Sequence, residues 1–346
     1  ALVISTPVAI VAGLAAAARR GVLIKGGRHL ETPARLAVIA FDKTGTLTRG
    51  EPRVVEVVAL NDHTDEEVLA RAASVDARSD HVLARAIVAA AAERGVDVPR
   101  AADVKLHPGR GAEGVIGDKR FWVGSHRWLE EMRAEEADTA ERLRELAGPG
   151  RTVLFVGSER HVCGLIAIAD HIRSDAKAQV EELGRAGLKT AMLTGDNHPT
   201  ALAIAGQVGI DEVEAELLPE QKVEAVGRLR EKFGPTAMVG DGINDTPAMA
   251  RSDLGIAMAA AGSDAAIETA DVALMTDDLS RLPWLVHHSR RTLGIIRQNI
   301  GAALLVKAGF VVLTMAGPAS LWAAIAADMG VSIAVVLNAL RLLRSR

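Results

Sequence analysis

The sequence predicts an α/β protein: a doubly wound parallel sheet interrupted by an inserted α+β domain and continued by transmembrane α-helices. Three observations carry this. From residue 175 helix-like and strand-like segments alternate, as in "DAKAQVEELGRAG", "LKTAMLT", "PEQKVEAVGRLREKFG" and "TAMVGD", the pattern of a parallel sheet with covering helices. A hairpin-rich block separates the first strand from that alternation. Two long apolar runs, roughly 298–316 and 319–340, close the chain.

The elements follow in order. Residues 1–18, "ALVISTPVAIVAGLAAAA", are apolar from the first residue and end at Arg19 and Arg20. Without a Met or a basic leader this is a poor secretory signal; it reads as the C-terminal part of a transmembrane helix reaching a positively charged edge. Residues 19–35 read as a linker. "LAVIAF", ending at Asp42, is a short apolar run of the buried parallel-strand kind. It opens a sheet domain expected over 36–50 and 166–285, with the insert over 51–165. Within the insert, "TDEEVLARAASV" and "HVLARAIVAAAAERG" are helical, with an acidic first turn and Gly95 as a stop. "VIGDKRFWVGS" is a hairpin turning at Gly117-Asp118 and "TVLFVGSERHVCGLIAIAD" a second one. "EEMRAEEADTAERLRELAG" reads as one charged helix closed by Gly148. Transmembrane helices are expected at 294–317 and 319–340, each able to span about 30 Å of hydrocarbon at 1.5 Å per residue. Arg290, Arg291 and Arg297 precede the pair and Arg341, Arg344 and Arg346 follow it. Basic residues at both open ends place those ends on the cytoplasmic side, with a tight Gly317-Pro318 turn outside.

Composition narrows the function. The 346 residues carry a net charge of -4, so no bulk basic field draws nucleic acid. Tyr is absent and aromatics make up 3%, which leaves no base-stacking platform. The single cysteine excludes an internal disulfide framework. Cys163, inside "HVCGLIAIA", reads as an inert core residue.

Three strand ends carry acidic motifs: "FDKTGTLT", "LTGDN" and "VGDGINDTP". In an open parallel sheet, ligands collect at the carboxyl ends of strands near a switch in strand order. Asp42, Thr194 and Asp241 would converge there, with Gly195, Gly240 and Gly242 letting backbone amides approach a phosphate. Carboxylates with little else favour Mg²⁺, held by oxygens together with substrate phosphate. Lys222, in "LPEQK", can reach the same face. A carboxylate can form an aspartyl-phosphate, and phosphoryl transfer asks mainly for positioning and charge neutralisation.

"DKTGTLT", "TGDN" and "GDGINDTP" resemble the P-type ATPases, ion pumps with a haloacid-dehalogenase-like phosphorylation domain. The resemblance implies that Asp42, followed by Lys43, is phosphorylated by ATP. It implies Mg²⁺ bound by Asp42, the Thr44 carbonyl and Asp241. Thr194, with Gly195 and Asp196 of its motif, and Lys222 would bind the phosphoryl group, with Asn244 and Asp245 completing the site. Asp170 and Arg173, in "ADHIR", resemble a further motif that contacts nucleotide or hinge. Phosphatases of this fold carry a second aspartate two positions after the nucleophile. Thr44 stands there instead, which suits a longer-lived phosphoenzyme and argues against the alternative, a membrane-tethered phosphatase.

The insert spells G-x-G-x-x-G in "GRGAEG", but a strand and turn follow where a dinucleotide fold needs a helix. It resembles instead the nucleotide-binding domain of the heavy-metal P-type ATPases. Asp76, His81, Gly109 and Gly111 occupy that pattern, with Val82 in place of its proline and Asp76 shorter than its glutamate. In the membrane segments Lys307 and Asp328 lie about ten residues on either side of the turn, near one depth. Two opposite charges there can neutralise one another, and intramembrane charges mark ion pathways. "LVKAG" and "ADMGVS" resemble the zinc, cadmium and lead branch of these pumps, with Asp328 on the transported ion and Lys307 as countercharge; cobalt and copper pumps are the alternatives. The expectation is thus the C-terminal part of an ATP-driven exporter in the plasma (inner) membrane, with cytoplasmic catalytic domains, starting just after the family's Cys-Pro-Cys and without its actuator domain.

Overall fold

The computed structural model describes residues 2–344 except 80, 108–109, 133–136, 147, 149, 160, 197, 242–244, 259–263, 277 and 318–319. In chain order, helix α1 (Leu2–Ala18), strand β1 (Val22–Ile24), helix α2 (Gly27–Glu31) and β2 (Val38–Asp42) come first. Next are β3 (Thr48–Ala59), α3 (Asp65–Asp76), α4 (Val82–Glu93), β4 (Ala102–His107), β5 (Gly111–Ile116), β6 (Lys119–Gly124), α5 (His126–Met132), α6 (Ala137–Leu146), β7 (Arg151–Ser158) and β8 (His161–Ile172). Then follow α7 (Ala176–Arg185), β9 (Lys189–Leu193), α8 (His198–Val208), β10 (Glu212–Glu214), α9 (Pro219–Phe233), β11 (Thr236–Gly240), α10 (Thr246–Arg251), β12 (Leu254–Met258), α11 (Asp264–Thr269) and β13 (Val272–Leu274). Two long helices end the chain, α12 (Arg281–Met315) and α13 (Leu321–Leu340).

The chain divides into two compact units, one of residues 1–46, 174–195 and 208–346, the other of 47–173 and 196–207. The first unit holds a seven-stranded sheet ordered β1-β13-β12-β11-β2-β9-β10. All its pairings are parallel except that of β1 with β13. The chain builds outward from β2 through β9 and β10, then returns to add β11, β12 and β13 on the other side. The strand order therefore reverses beside β2, where a doubly wound sheet opens a crevice for ligands. Both faces are covered, so β2, β11 and β12 are buried at every position and read as unbroken apolar runs.

Several boundaries differ from the sequence reading. Residues 19–35 are more than a linker: Val22 and Ile24 are buried, and β1 joins the sheet through Val22↔Leu274 and Ile24↔Val272. The strands β10, β12 and β13 are only three to five residues long and have no local pattern that marks them. Helix α12 starts at Arg281, well before 294, because Leu282, Leu285 and Val286 bury an apolar first turn. Its next turns bind the rest of the first unit: Ser289 Oγ donates to Leu30 O at 2.5 Å, and Arg290 Nη1 to Ala186 O at 2.8 Å.

The second unit is a six-stranded antiparallel sheet, β3-β8-β7-β6-β5-β4. Helices α3 and α4 pack their buried Val68, Leu69, Ala72, Ile87 and Ala91 against Val123, Val156 and Ile166 of the sheet. A capping box starts α3, with Glu67 N donating to Thr64 Oγ1 and Thr64 N to Glu67 Oε2. The two-residue hairpin at Gly117-Asp118 closes on Ile116↔Lys119. The sheet runs past the 51–165 read from sequence at both ends, since β3 begins at Thr48 and β8 continues to Ile172. Of the charged segment, α5 and α6 are described and residues 133–136 between them are not. Trp128 and Leu129 of α5 and Leu146 of α6 are buried in one cluster with Trp122 and Phe155.

Helices α1, α12 and α13 bury Ala9, Ala12, Ile295, Ile296 and Ala339 together. Buried Asn299 of α12 donates to Val335 O at 3.2 Å and accepts from Asn338 Nδ2 at 2.8 Å, which fixes the register of α12 on α13. Beyond this base both helices carry exposed apolar side chains, among them Leu305, Val312, Trp322 and Leu337. Among the described residues, two helices are long and apolar enough to cross a membrane.

Candidate active site

The site lies at the carboxyl edge of the seven-stranded sheet. Asp42 ends β2, opposite Leu193 of β9, so Thr194 is the next residue on that neighbour. On the other side Phe41 pairs with Val239 of β11, so Asp241 leaves β11 beside the end of β2. Three motifs far apart in sequence meet because three parallel strands stop at one edge.

Asp42 is 6% exposed. Its Oδ1 accepts from Lys222 Nζ at 2.5 Å and its Oδ2 from the Thr44 amide at 3.0 Å. The same Lys222 ammonium donates to Asp245 Oδ1 at 2.7 Å. Pro219 sets the first turn of α9, which presents Lys222 to the strand ends. Asp42, Asp241 and Asp245 place one carboxylate oxygen each within 4.8 Å of one another.

The turn after β2 makes this possible. Gly45 has φ +71°, and a Cβ there would lie 1.6 Å from Asp241 Oδ2. Only glycine lets the Asp241 carboxylate approach the turn.

Three carboxylates around one ammonium leave an excess of negative charge. Burial, with the charge of Asp245, raises Asp42 to about 6 against the pull of Lys222. Burial, with the charges of Asp42 and Asp245, raises Asp241 to about 7. Burial opposes the Lys222 charge, but Asp42 and Asp245 outweigh it and hold the ammonium above its ordinary range. Groups so perturbed in one crevice mark a functional site. Oxygen donors alone, in charge excess, fit a hard divalent cation of the Mg²⁺ kind.

The other expected residues are placed as follows. Thr194 is buried, its amide donating to Glu214 O and its carbonyl accepting from the Leu217 amide. Gly195 is exposed and Asp196 half-buried, just beyond β9; Lys43 is half-buried and Thr44 exposed. Asn244 and Gly242 lie outside the described residues, as does Gly109. In the second unit Asp76 ends α3, buried, and burial raises its carboxyl to about 7. His81 is the N-cap of α4, its Nδ1 accepting from the Leu83 amide at 3.3 Å; the cap leaves Nε2 for another partner. Gly111 has a packing reason of its own: a Cβ would lie 2.0 Å from Val123 O. Asp170 sits on β8, where its Oδ2 accepts from the Gly50 amide at 3.2 Å, and the Arg173 amide donates to Leu47 O at 2.9 Å. Both residues thus belong to the second unit's sheet rather than to the 166–285 segment, and they tie the two strands by which the chain enters and leaves it.

Lys307 and Asp328 lie on exposed faces of α12 and α13. They stand eight and seven residues from the ends of their helices at Met315 and Leu321, about 12 and 10 Å from the turn.

Comparison with known proteins agrees with this geometry. The family model for a haloacid dehalogenase-like hydrolase matches residues 36–253. A probable cadmium-transporting ATPase of Alkalihalophilus pseudofirmus is 44% identical over 99% of this chain and 48% of its own length. A zinc/cadmium/lead-transporting P-type ATPase of Escherichia coli is 45% identical over 100% of this chain and 46% of its own. A zinc-transporting PIB-type ATPase, solved in its E2.Pi state, superimposes with a TM-score of 0.87 at 45% identity, over 99% of this chain and 56% of that one. The chain belongs to the haloacid dehalogenase-like hydrolases and, among them, to the P-type ATPases. It spans about half the length of the curated relatives it matches.

Proposed function

We propose that this chain is the catalytic and C-terminal membrane part of an ATP-driven exporter of divalent heavy-metal ions (zinc, cadmium or lead), working through an aspartyl-phosphate on Asp42. One observation carries the reading: Asp42 is buried at the end of β2, held by Lys222 at 2.5 Å, with Asp241 and Asp245 alongside. A carboxylate oxygen of Asp42 attacks the γ-phosphorus of ATP. The bond from that phosphorus to the β-phosphate oxygen breaks, and ADP leaves. Lys222, pinned by Asp245, neutralises charge on the transferring group, and Thr194 at the neighbouring strand end hydrogen-bonds its oxygens. Asp42, the Thr44 carbonyl and Asp241 would hold Mg²⁺, which would supply charge neutralisation to the phosphates. Thr44 offers no carboxyl to activate water, which prolongs the phosphoenzyme. Asp76, His81, Gly109 and Gly111 are assigned to the nucleotide. Asp170 and Arg173 are assigned to the hinge strands.

Lys307 and Asp328 are assigned to the transported ion, the carboxylate as ligand and the ammonium as its countercharge. At similar depth in two packed helices they can pair when the site is empty and separate when a divalent cation takes the carboxylate. The basic residues at both ends of the hairpin support an orientation with the catalytic domains in the cytoplasm, and the plasma (inner) membrane is assigned from the family resemblance. The decisive experiment is labelling with γ-phosphate-labelled ATP and Mg²⁺. The wild-type chain is expected to form an acid-stable, hydroxylamine-sensitive phosphoenzyme, and Asp42→Asn none; label retained in that variant would overturn the assignment.

A further inference from the structure

A second cluster of metal-ligating side chains lies in the second unit, apart from the carboxylates. His63 follows β3, while His161 and Cys163 open β8. The His63 and His161 Nε2 atoms are 3.2 Å apart, and Cys163 Sγ is 3.6 Å from His161 Nε2. All three ligand atoms lie within 4.8 Å of one another. The backbone builds this meeting. Leu60 N donates to Cys163 O at 2.8 Å and Asn61 Nδ2 to Val162 O at 3.0 Å, which lock the end of β3 on β8. Asn61 and Asp62 then take left-handed conformations, φ 53° and 60°, and turn His63 back over β8.

We propose that His63, His161 and Cys163 form a metal site for one zinc-class divalent cation. Zinc bonds of about 2.0–2.1 Å to nitrogen and 2.3 Å to sulfur, in tetrahedral geometry, separate two nitrogens by roughly 3.3 Å and nitrogen from sulfur by roughly 3.6 Å. The two observed contacts match those edges. One thiolate with two imidazoles is a donor set for borderline-soft ions and differs in kind from the all-oxygen site around Asp42. The histidines are half-exposed, so water can supply the fourth ligand.

The surroundings provide for both states. His63 Nδ1 faces Arg71 Nη1 at 3.1 Å and Glu67 Oε2 at 3.4 Å. Without metal, Arg71 donates to Nδ1, and the ring proton on Nε2 goes to His161. With metal on Nε2, that proton moves to Nδ1 and is donated to Glu67, the carboxylate–histidine–metal arrangement of many zinc sites. The thiol gives up its proton to solvent as the metal–sulfur bond forms, so uptake releases one proton. The proposal is independent of the transport reading, because none of these residues serves phosphorylation or the membrane pair.

The test is Co²⁺ titration of the 346-residue chain, whose single cysteine assigns any thiolate signal to Cys163. One equivalent is expected to give a thiolate-to-cobalt charge-transfer band with tetrahedral d–d bands, both displaced by Zn²⁺. Cys163→Ser should remove the charge-transfer band, and His161→Gln should weaken binding at least tenfold. Glu67→Gln, at an exposed position that cannot compromise the core, should weaken it several-fold. Absence of the charge-transfer band in the wild-type chain, or its persistence at unchanged affinity in both His63→Gln and His161→Gln, would overturn the proposal.

Discussion

Asp76 shows how a single buried carboxyl governs pH behaviour. Burial raises it to about 7, whereas in the unfolded chain an aspartate titrates near 3.9. Between those values the folded protein holds a proton that the unfolded one has lost. Stability of the second unit therefore falls as pH rises from about 4 through about 7, by at most about 4 kcal/mol. Asp76→Asn removes the group and flattens the curve, so the variant should gain on wild type as pH rises from 5 to 8. Denaturant unfolding across that range checks the sign. At this scale the sequence was legible where chemistry recurs in a local string, as with Asp42 and Asp241. It was not legible for Cys163. His63 stands 100 residues before it, and only the β3–β8 register and the two left-handed residues bring the two together. The same residue that reads as inert core in "HVCGLIAIA" has imidazole neighbours in the fold.

At the scale of elements, the turn after β2 is the most constrained piece of backbone in the site. Gly45→Ala would put a methyl 1.6 Å from the Asp241 Oδ2 position and hold an L-residue at φ +71°. The backbone strain alone costs about 1–2 kcal/mol. Asp241 must move out of the crevice. Phosphoenzyme formation should drop at least tenfold while far-ultraviolet circular dichroism stays that of wild type; labelling at the wild-type level would show that Asp241 is not needed near Asp42. Long, strongly patterned elements such as α3, α9 and the β5–β6 hairpin announce themselves through caps, charge and turn glycines. The strands β1, β10, β12 and β13 do not. They are three to five residues long, and their place depends on neighbours that no local pattern names.

At the scale of the whole molecule, the carboxylate cluster lies in the sheet, and the proposed transported-ion pair lies on the two long helices. For the complete pump, Lys307→Ala and Asp328→Ala are each expected to reduce metal-stimulated ATP hydrolysis at least tenfold while leaving phosphorylation of Asp42 by inorganic phosphate intact. If hydrolysis in both variants kept its wild-type dependence on Zn²⁺, Cd²⁺ and Pb²⁺, the pair would serve only to hold the hairpin together. Most of the fold class could be read from three strand ends and two apolar runs. The extent of α12 could not, because the polar residues 287–292 separate its apolar first turn from the apolar run after residue 294.

That continuity has a mechanical meaning. Helix α12 runs 35 residues without a break, about 52 Å of rod, and its one proline lies in the first turn, where it does not kink the axis. One end is pinned through Ser289 and Arg290 to the body that carries Asp42; the other bears Lys307. Such a rod works as a crank: a tilt of a few degrees at the pinned end sweeps the far end sideways by ångströms. The surroundings of Lys307 can thus be reset from the strand end that carries Asp42 with no relay of side chains in between.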